Sequence, residues 1–341
     1  MLRLVLLLAC CVLTNGCYYL QAAQGQWELT RKREPIEEVI ASPETSAELA
    51  ARLQLVQEAR QFAIDELDLP DNDTYRTYAD LERDYVLWNV FAAPEFSLEP
   101  KTWCYPVAGC VGYRGYFSRD AAEREAARLA AAGYDVAFGG VAAYSTLGRF
   151  KDPVLSTMMN WDDARLIAVL FHELAHQVVY AKNDTAFNES FATAVEEAGL
   201  RRWLAARGVE DEMVRYADRR RLSEDIMSFV TGARSDLETL YATDLPDEEK
   251  RQMKKERLSD LSRQVAARLK KEGSAAGHWL HGELNNATLV PMALYEGQLP
   301  AFQALLANCD GEFACFYAAV GRLAELPQSE RQAQLESLVT P

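Results

Sequence analysis

The sequence predicts an α+β fold that is mainly helical, with a small sheet upstream of a metal-binding helix and a long helical hairpin downstream. Apolar residues recur at helical spacing in residues 46–67 and again in residues 162–180. Between them, residues 84–118 are rich in Tyr, Trp, Phe and Val and are interrupted by prolines, which is typical of short strands. Residues 210–272 are charged and helical with one break near residues 243–246, and this pattern predicts the hairpin.

The composition indicates a protein with a sizeable hydrophobic core. The chain has 341 residues, of which 49% are hydrophobic, and its length fits one large domain or two modest ones. We expect a single domain over residues 46–341, preceded by a polar tether over residues 17–45 that contains Pro35 and Pro43. The formal net charge of −15 disfavours a nucleic-acid surface, which needs clustered Lys and Arg.

Residues 1–16 have the pattern of a signal peptide. Arg3 precedes a short apolar run, Leu4 to Leu13, whereas a membrane-spanning helix needs about 20 residues. The stretch Leu13-Thr-Asn-Gly-Cys17 resembles a bacterial lipobox, in which the cysteine is lipidated and becomes the new N-terminus. This resemblance implies a lipoprotein retained at the outer membrane, since Tyr18 stands where an aspartate would favour the inner membrane. A plain signal peptide cut nearby is the alternative, because Thr14 occupies a position that is usually aliphatic.

Four cysteines remain once the signal segment and Cys17 are set aside, namely Cys104, Cys110, Cys309 and Cys315. Three pairings are possible, and we favour the two local ones because each closes a short loop that contains glycine. Disulfides would place the protein in an oxidising compartment. A zinc site built from all four is an alternative, although the chain lacks the C-x2-C spacing typical of such sites.

Local signals define the remaining elements. We expect helices over residues 46–67, 121–132, 162–180 and 185–207, strands within residues 85–91 and 134–148, and two short helices flanking residues 309–315. The strand upstream of the metal helix contains Gly139-Gly140, which predicts a bulge or kink. An edge strand here could pair with an extended peptide, but an internal strand fits the same pattern.

The sequence His172-Glu-Leu-Ala-His176 is an HExxH motif, which binds zinc on a helix in metalloproteases. Two residues four apart on a helix differ by about 40° in azimuth and about 6 Å in height, so both imidazoles can bind one ion. Glu173 lies beside that ion and is free to act on its water. With only four histidines in the chain, chance is a poor explanation. We therefore predict a zincin-like metallopeptidase domain with one Zn²⁺ per chain.

A catalytic zinc needs a third protein ligand. The metzincin pattern would require a glycine and a histidine where this chain has Val179 and Lys182, so that class is excluded. If the helices on either side of a connector near residue 182 run antiparallel, His176 lies level with Glu189, which we predict as the third ligand. By the same estimate Glu196 lies about 10 Å further along, too far from both imidazoles to bind the ion. Glu196 is therefore at best a group that orients a histidine.

Other polar residues are candidates for stabilising the transition state or contacting substrate. His278 and His281 are three residues apart and fit a surface turn as readily as a pocket. Tyr144, Tyr180 and Tyr295 compete for the same role, and the sequence does not rank them.

Four segments resemble the bacterial predicted zinc aminopeptidases, a family of HExxH lipoproteins. They are the run from Val107-Ala-Gly-Cys110 through Tyr113-Arg-Gly-Tyr-Phe117, the run Ala143-Tyr-Ser-Thr-Leu-Gly148, the metal helix, and Phe187-Asn-Glu-Ser-Phe-Ala192. The resemblance spans most of the mature chain and implies a gluzincin-type site carried by His172, Glu173, His176 and Glu189. The last segment is also similar to the ligand helix of established zinc aminopeptidases, although the Gly-Ala-Met-Glu-Asn motif with which they hold a free amine has no counterpart.

We therefore expect a zinc-dependent peptidase, with aminopeptidase activity as the leading interpretation, in which Glu173 is the general base. The expected partners are a peptide substrate and, through a lipid on Cys17, a membrane. No transmembrane helix is expected in the mature chain, and the expected location is the cell envelope, facing the periplasm. Two alternatives stay open: an endopeptidase with no need of a free N-terminus, and a zinc-bearing envelope protein that binds without catalysis.

Overall fold

A computed structural model describes residues 18–105, 109–146, 150–272, 284–291 and 298–339. Helix α1 spans residues 18–31. The later helices are α2 (Ile36–Ala41), α3 (Ala47–Leu67), α4 (Arg119–Ala131), α5 (Asp163–Ala175), α6 (Thr185–Arg207), α7 (Glu210–Tyr241), α8 (Asp247–Lys271), α9 (Asn286–Leu289), α10 (Leu299–Asn308), α11 (Phe313–Ala324) and α12 (Gln328–Val339). The strands are β1 (Arg33–Pro35), β2 (Thr77–Ala79), β3 (Leu87–Pro94), β4 (Trp103–Tyr105), β5 (Gly109–Val111), β6 (Tyr113–Tyr116), β7 (Tyr134–Val141) and β8 (Val154–Leu155). The described chain is thus mainly helical with small sheets, consistent with the predicted α+β class.

Strand β7 lies at the edge of a three-stranded sheet with the order β6-β3-β7. The sequence did not decide between an edge strand and an internal strand for this segment. In the structure β7 is an edge strand. The predicted bulge at Gly139-Gly140 is wrong, because both glycines pair with β3 in unbroken antiparallel register. The glycine at position 140 allows the ring of Tyr85 to pack directly on the backbone, since a Cβ there would lie 2.3 Å from this ring.

Residues 18–45 do not have the structure expected of a tether. Helix α1 packs on the sheet, where the Gln21 amide donates to the carbonyl of Gly115 at 3.4 Å and accepts from the backbone N–H of Phe117 at 3.1 Å. Gly25 lies under Phe117 so closely that a Cβ would collide with the ring, and Leu29 is buried. The tether was predicted from the polar composition of this segment. Its polar residue Gln21 is not solvated, however, because its side chain forms hydrogen bonds with the backbone of the sheet as a neighbouring strand would.

The metal helix begins as predicted and ends early. Asp162 is its N-cap and accepts a hydrogen bond from the Arg165 N–H at 3.0 Å, but α5 ends at Ala175 instead of continuing to residue 180. The next segment is held differently, because the buried side-chain amide of Asn188 pairs with both backbone groups of Ala181. A side chain from α6 thus replaces the helical hydrogen bonds of this segment.

Helix α6 matches its predicted bounds and lies in the main core between α5 and the C-terminal helices. Phe187 and Phe191, both fully buried, contact the ring of Phe302 on α10. The predicted hairpin is present as α7 and α8. Lys254 of this hairpin is buried and donates to Asp135 of β7 at 2.6 Å, which fixes the hairpin to the sheet. Within the described ranges, no helix combines the length and the apolarity needed to cross a membrane.

Candidate metal centre

His172 lies on the face of α5 that packs against α6, and His176 is the C-cap residue that directly follows this helix. Phe171, directly before the motif, is fully buried, and its ring lies 3.0 Å from the position that a Cβ on Gly199 of α6 would occupy. This close approach of the two helices brings His172 and His176 towards Glu189 in the first turns of α6. The predicted ligand set is therefore assembled by packing between consecutive helices.

Three ligand atoms converge on one point. Nε2 of His172 lies 3.2 Å from Nε2 of His176 and 3.3 Å from a carboxylate oxygen of Glu189, and the other oxygen of Glu189 lies 3.6 Å from Nε2 of His176. Zinc–ligand bonds of about 2.1 Å place neighbouring ligands of a tetrahedral site about 3.4 Å apart. Each imidazole thus lies at about this separation from the other imidazole and from one oxygen of the Glu189 carboxylate, so the three residues fit a bound metal ion.

Glu196 orients His172. Its carboxylate lies 2.9 Å from Nδ1 of His172, and its second oxygen accepts a hydrogen bond of 2.7 Å from the hydroxyl of Tyr216 on α7. With Nδ1–H donated to Glu196, the Nε2 of His172 is left free for an ion. This contact agrees with the prediction that Glu196 orients a histidine, but the estimate that put it too far from both imidazoles was wrong. The height difference of about 10 Å holds for His176, whereas for His172 the same geometry gives only about 4.5 Å. Side chains also lean towards the N-terminus of their own helix, so His172 and Glu196 reach towards each other.

Glu173 lies on a polar support formed by residues upstream of the metal helix. It forms a hydrogen bond with Ser145, whose hydroxyl also lies 3.3 Å from a carboxylate oxygen of Asp152. Asp152 is buried and accepts two further hydrogen bonds from Thr146. Burial is the main cause that raises the pKa of Glu173 above its usual value, as expected for a carboxylate that has lost water.

Tyr75 lies close to this support. It is fully buried, and burial followed by the charges of Glu173 and Asp152 raises the pKa of its hydroxyl. Its backbone has φ of 61°, a conformation rare for a large side chain, and its N–H donates to the carbonyl of Asp152 at 2.7 Å. Backbone strain of this kind persists where the surrounding structure enforces it, often at functional sites.

The charges at the centre form one coupled system. Burial opposes a charge on His172, but hydrogen bonds to Glu189 and Glu196 outweigh it and raise the pKa of His172 to about 10. Burial and the neighbouring His172 lower the pKa of His176 to about 4. Without a metal ion, His172 is therefore the protonated group of the cluster, and the ionised carboxylates of Glu189 and Glu196 stabilise its charge.

The structure separates the tyrosine candidates. Tyr180 lies beside the ligands, with its ring centroid 6.5 Å from that of His176, and it is 54% exposed. The hydroxyl of Tyr144 is instead hydrogen-bonded to Gln26 of α1. Tyr113 of β6 was not among the predicted candidates. The pKa of its hydroxyl is raised, mainly by burial and further by the charge of Glu189.

Several predicted residues lie outside the described ranges, namely His278, His281, Tyr295 and Cys17. Both predicted disulfides are present, Cys104–Cys110 and Cys309–Cys315. Ser145, Asp152 and Tyr216 were not predicted, since single polar residues distant in sequence from the motif carry no pattern that marks them.

The fold and the site define a mainly helical α+β protein in which an HExxH helix and the next helix form a two-histidine, one-glutamate cluster. The sequence model of the Aminopep family, described as "putative aminopeptidase", matches residues 17–335. The chain belongs to this family. No curated protein and no solved structure matches it.

Proposed function

We propose that this protein is a zinc-dependent peptidase of the gluzincin type, with aminopeptidase activity. The observation that carries the proposal is the cluster of two imidazoles and the Glu189 carboxylate at separations close to those of a tetrahedral site, with Glu173 following the first histidine. The family supports a peptidase, and the geometry favours a metal-dependent one. His172, His176 and Glu189 would hold one Zn²⁺ per chain.

Glu173 is the proposed general base. A bound Zn²⁺ supplies Lewis acidity that makes a water molecule a nucleophile near neutral pH. Glu173 accepts a proton from the attacking water and delivers it to the leaving amine. Ser145 holds the carboxylate of Glu173 in place, and Tyr180 or Tyr113 is the proposed donor to the developing oxyanion.

Strand β7 is the proposed docking edge for the peptide. It is the outer strand of its sheet, Phe138 is 42% exposed, and no atom lies within 4 Å of a Cβ built on Gly139. The strand ends at Val141, only four residues before Ser145, so a peptide paired with it would run towards Glu173. An extended substrate would add a strand here by β-augmentation.

A matched pair of substrates tests the aminopeptidase assignment. Peptide amides with a free N-terminus and the same peptides with an acetylated N-terminus are incubated with the zinc-loaded chain, and all cleavage products are identified by mass spectrometry. An aminopeptidase cleaves only the free form, whereas cleavage of both forms would establish an endopeptidase. Cleavage of neither, with zinc bound, would favour the non-catalytic binding protein, although such a protein has no need of Glu173.

We also propose a location in the cell envelope, with Cys17 lipidated. Two disulfides suit an oxidising compartment, and the signal-like residues 1–16 would direct export. Mass spectrometry of the N-terminal peptide from the membrane fraction tests the lipid. An acylated Cys17 at the new N-terminus is expected, and an unmodified peptide starting elsewhere would contradict it.

Loss of the Glu196 carboxylate should weaken metal binding without removing a ligand. In Glu196→Gln, His172 loses a charged partner, so we expect the zinc dissociation constant to rise about 10–100-fold. Tyr216→Phe removes only the bond to the far oxygen of Glu196 and should have a smaller effect in the same direction. Zinc competition with a chromogenic chelator measures both, and an unchanged constant in Glu196→Gln would contradict the orienting role.

Zinc binding should release a proton. Because the pKa of His172 is about 10 in the metal-free cluster, its imidazole is protonated at pH 7 and must become neutral to bind the ion. Affinity should therefore rise with pH, about tenfold per unit between pH 6 and 9, and level off above the pKa of His172. Calorimetry at pH 7.5 in buffers with different ionisation enthalpies should show about one proton released per zinc. A heat of binding independent of the buffer would contradict this.

A further inference from the structure

Helix α1 exposes an apolar stripe. Leu20 is 60% and Trp27 is 68% exposed, and Tyr19 beside them is 47% exposed. Leu20, Gln24, Trp27 and Arg31 follow one another at intervals of four, three and four residues, so they lie on one side of the helix within about 60° of azimuth. A single exposed apolar residue is ordinary, but a tryptophan and a leucine aligned on one helix face indicate a contact surface.

The opposite face of α1 packs against the rest of the protein. Gly25 and Leu29 pack inwards, and Gln21 pairs with the backbone at the edge of the sheet. Because these contacts fix the rotation of the helix, the side chains of Leu20 and Trp27 cannot turn into the core. Their exposure is a stable property of the fold.

The charge of the stripe differs from that of the rest of the chain. The chain contains 51 acidic residues in 341, yet residues 18–31 contain only one, Glu28. Glu28 is paired with Arg83 at 3.1 Å, away from the stripe, whereas Arg31 lies on it and is exposed. The exposed stripe of α1 thus carries the positive charge of Arg31 and no carboxylate, which suits contact with anionic phospholipid headgroups.

The position of α1 identifies the partner. The described part of the helix starts at residue 18, the next residue in sequence after the proposed lipid site at Cys17. At this end the rings of Tyr18, Tyr19 and Tyr105 lie with centroids 5.6–6.3 Å apart. Tyrosine and tryptophan concentrate at the level of the lipid headgroups, where an apolar ring and a polar tip are both accommodated.

We propose that the stripe formed by Leu20, Gln24, Trp27 and Arg31 lies in the headgroup region of the membrane and orients the protein on it. This proposal rests on the envelope location proposed above and adds a second, non-covalent contact to the lipid. A lipid on Cys17 would hold the chain at the membrane without fixing its orientation, so a second contact has a clear role. Gln21, in the N-terminal part of α1, contacts β6, which is the edge of the sheet opposite to the docking edge β7.

Fluorescence quenching tests the contact in the complete protein. The processed chain and its Trp27→Phe variant are reconstituted into phosphatidylethanolamine–phosphatidylglycerol vesicles, with and without lipid brominated near the headgroup. The wild type should lose a larger share of its emission to brominated lipid than the variant, since five of the six tryptophans are common to both. Equal quenching would overturn the proposal.

A second measurement removes the lipid. In a Cys17→Ser background, Leu20→Ser with Trp27→Ser should lower partitioning into the same vesicles about tenfold, because two apolar side chains lose their burial. The matched control is Val214→Ser with Met253→Ser, which changes two exposed apolar residues on the hairpin and should leave partitioning unchanged. Equal partitioning of the two pairs would overturn the membrane face. An unmodified Cys17 would contradict only the lipid anchor, and the two serine pairs would still decide on the stripe.

Discussion

Glu173→Gln should lower kcat of peptide hydrolysis by roughly 10²–10⁴-fold while zinc stays bound. Glutamine keeps the size of the side chain and its hydrogen bond to Ser145, but it cannot accept a proton from the attacking water. The three ligand atoms belong to other residues, so the metal content of the variant should equal that of the wild type. Steady-state kinetics on an unblocked peptide amide, together with metal analysis of the same samples, measures both quantities.

Glu173→Asp provides the matched control. It keeps a carboxylate but shortens the side chain, so its activity should fall between those of the wild type and Glu173→Gln. Near-wild-type kcat in Glu173→Gln would remove Glu173 from the mechanism. Loss of zinc in that variant would mean that it acts on the ligand set and not on proton transfer.

Glu189→Ala should abolish stoichiometric zinc binding and all activity that depends on it. The carboxylate of Glu189 is the only one in the cluster whose two oxygens face both imidazoles, at 3.3 and 3.6 Å. Without it the site has two neutral ligands and no negatively charged ligand for the ion, and we expect affinity to fall by more than about 100-fold. Metal analysis after dialysis should show a change from about one zinc per chain to a small fraction.

Glu197→Gln is the control on the same helix. Glu197 is partly buried and is held by Arg220 and Gln303, so its replacement perturbs α6 to a similar degree without touching the ligand atoms. It should retain one zinc per chain. Full zinc content in Glu189→Ala would exclude Glu189 as a ligand and would require another residue in its place.

The parts of the site that the sequence predicted are those set by local spacing. His172 and Glu173 lie on α5 and His176 is its C-cap residue. A short connector restricts which residues of α6 can reach them, so Glu189 followed from helix geometry. The same reasoning misplaced Glu196, because backbone height ignores the direction in which long side chains lean. Ser145, Asp152 and Tyr216 reach the site through tertiary packing, which no local pattern encodes.

The fold shows the same division between local and tertiary determinants. The bounds of α3, α6 and the hairpin follow from periodicity, caps and breakers that lie next to each other in the chain. The end of α5 depends on Asn188, a residue of the next helix that binds the backbone of Ala181. The ordered structure of residues 18–45 depends on a sheet far along the chain, which composition alone does not reveal.

The candidate ligand atoms come from residues 172 to 189, a span short enough for the cluster to assemble early during folding. Closing so short a loop costs little entropy, so α5 and α6 can meet before the C-terminal helices pack against them. The support of Glu173 comes from residues 145–152, which are synthesised earlier still. Helices α10–α12, made last, cover the buried aromatic face of α6 and complete a centre whose ligands are already in place.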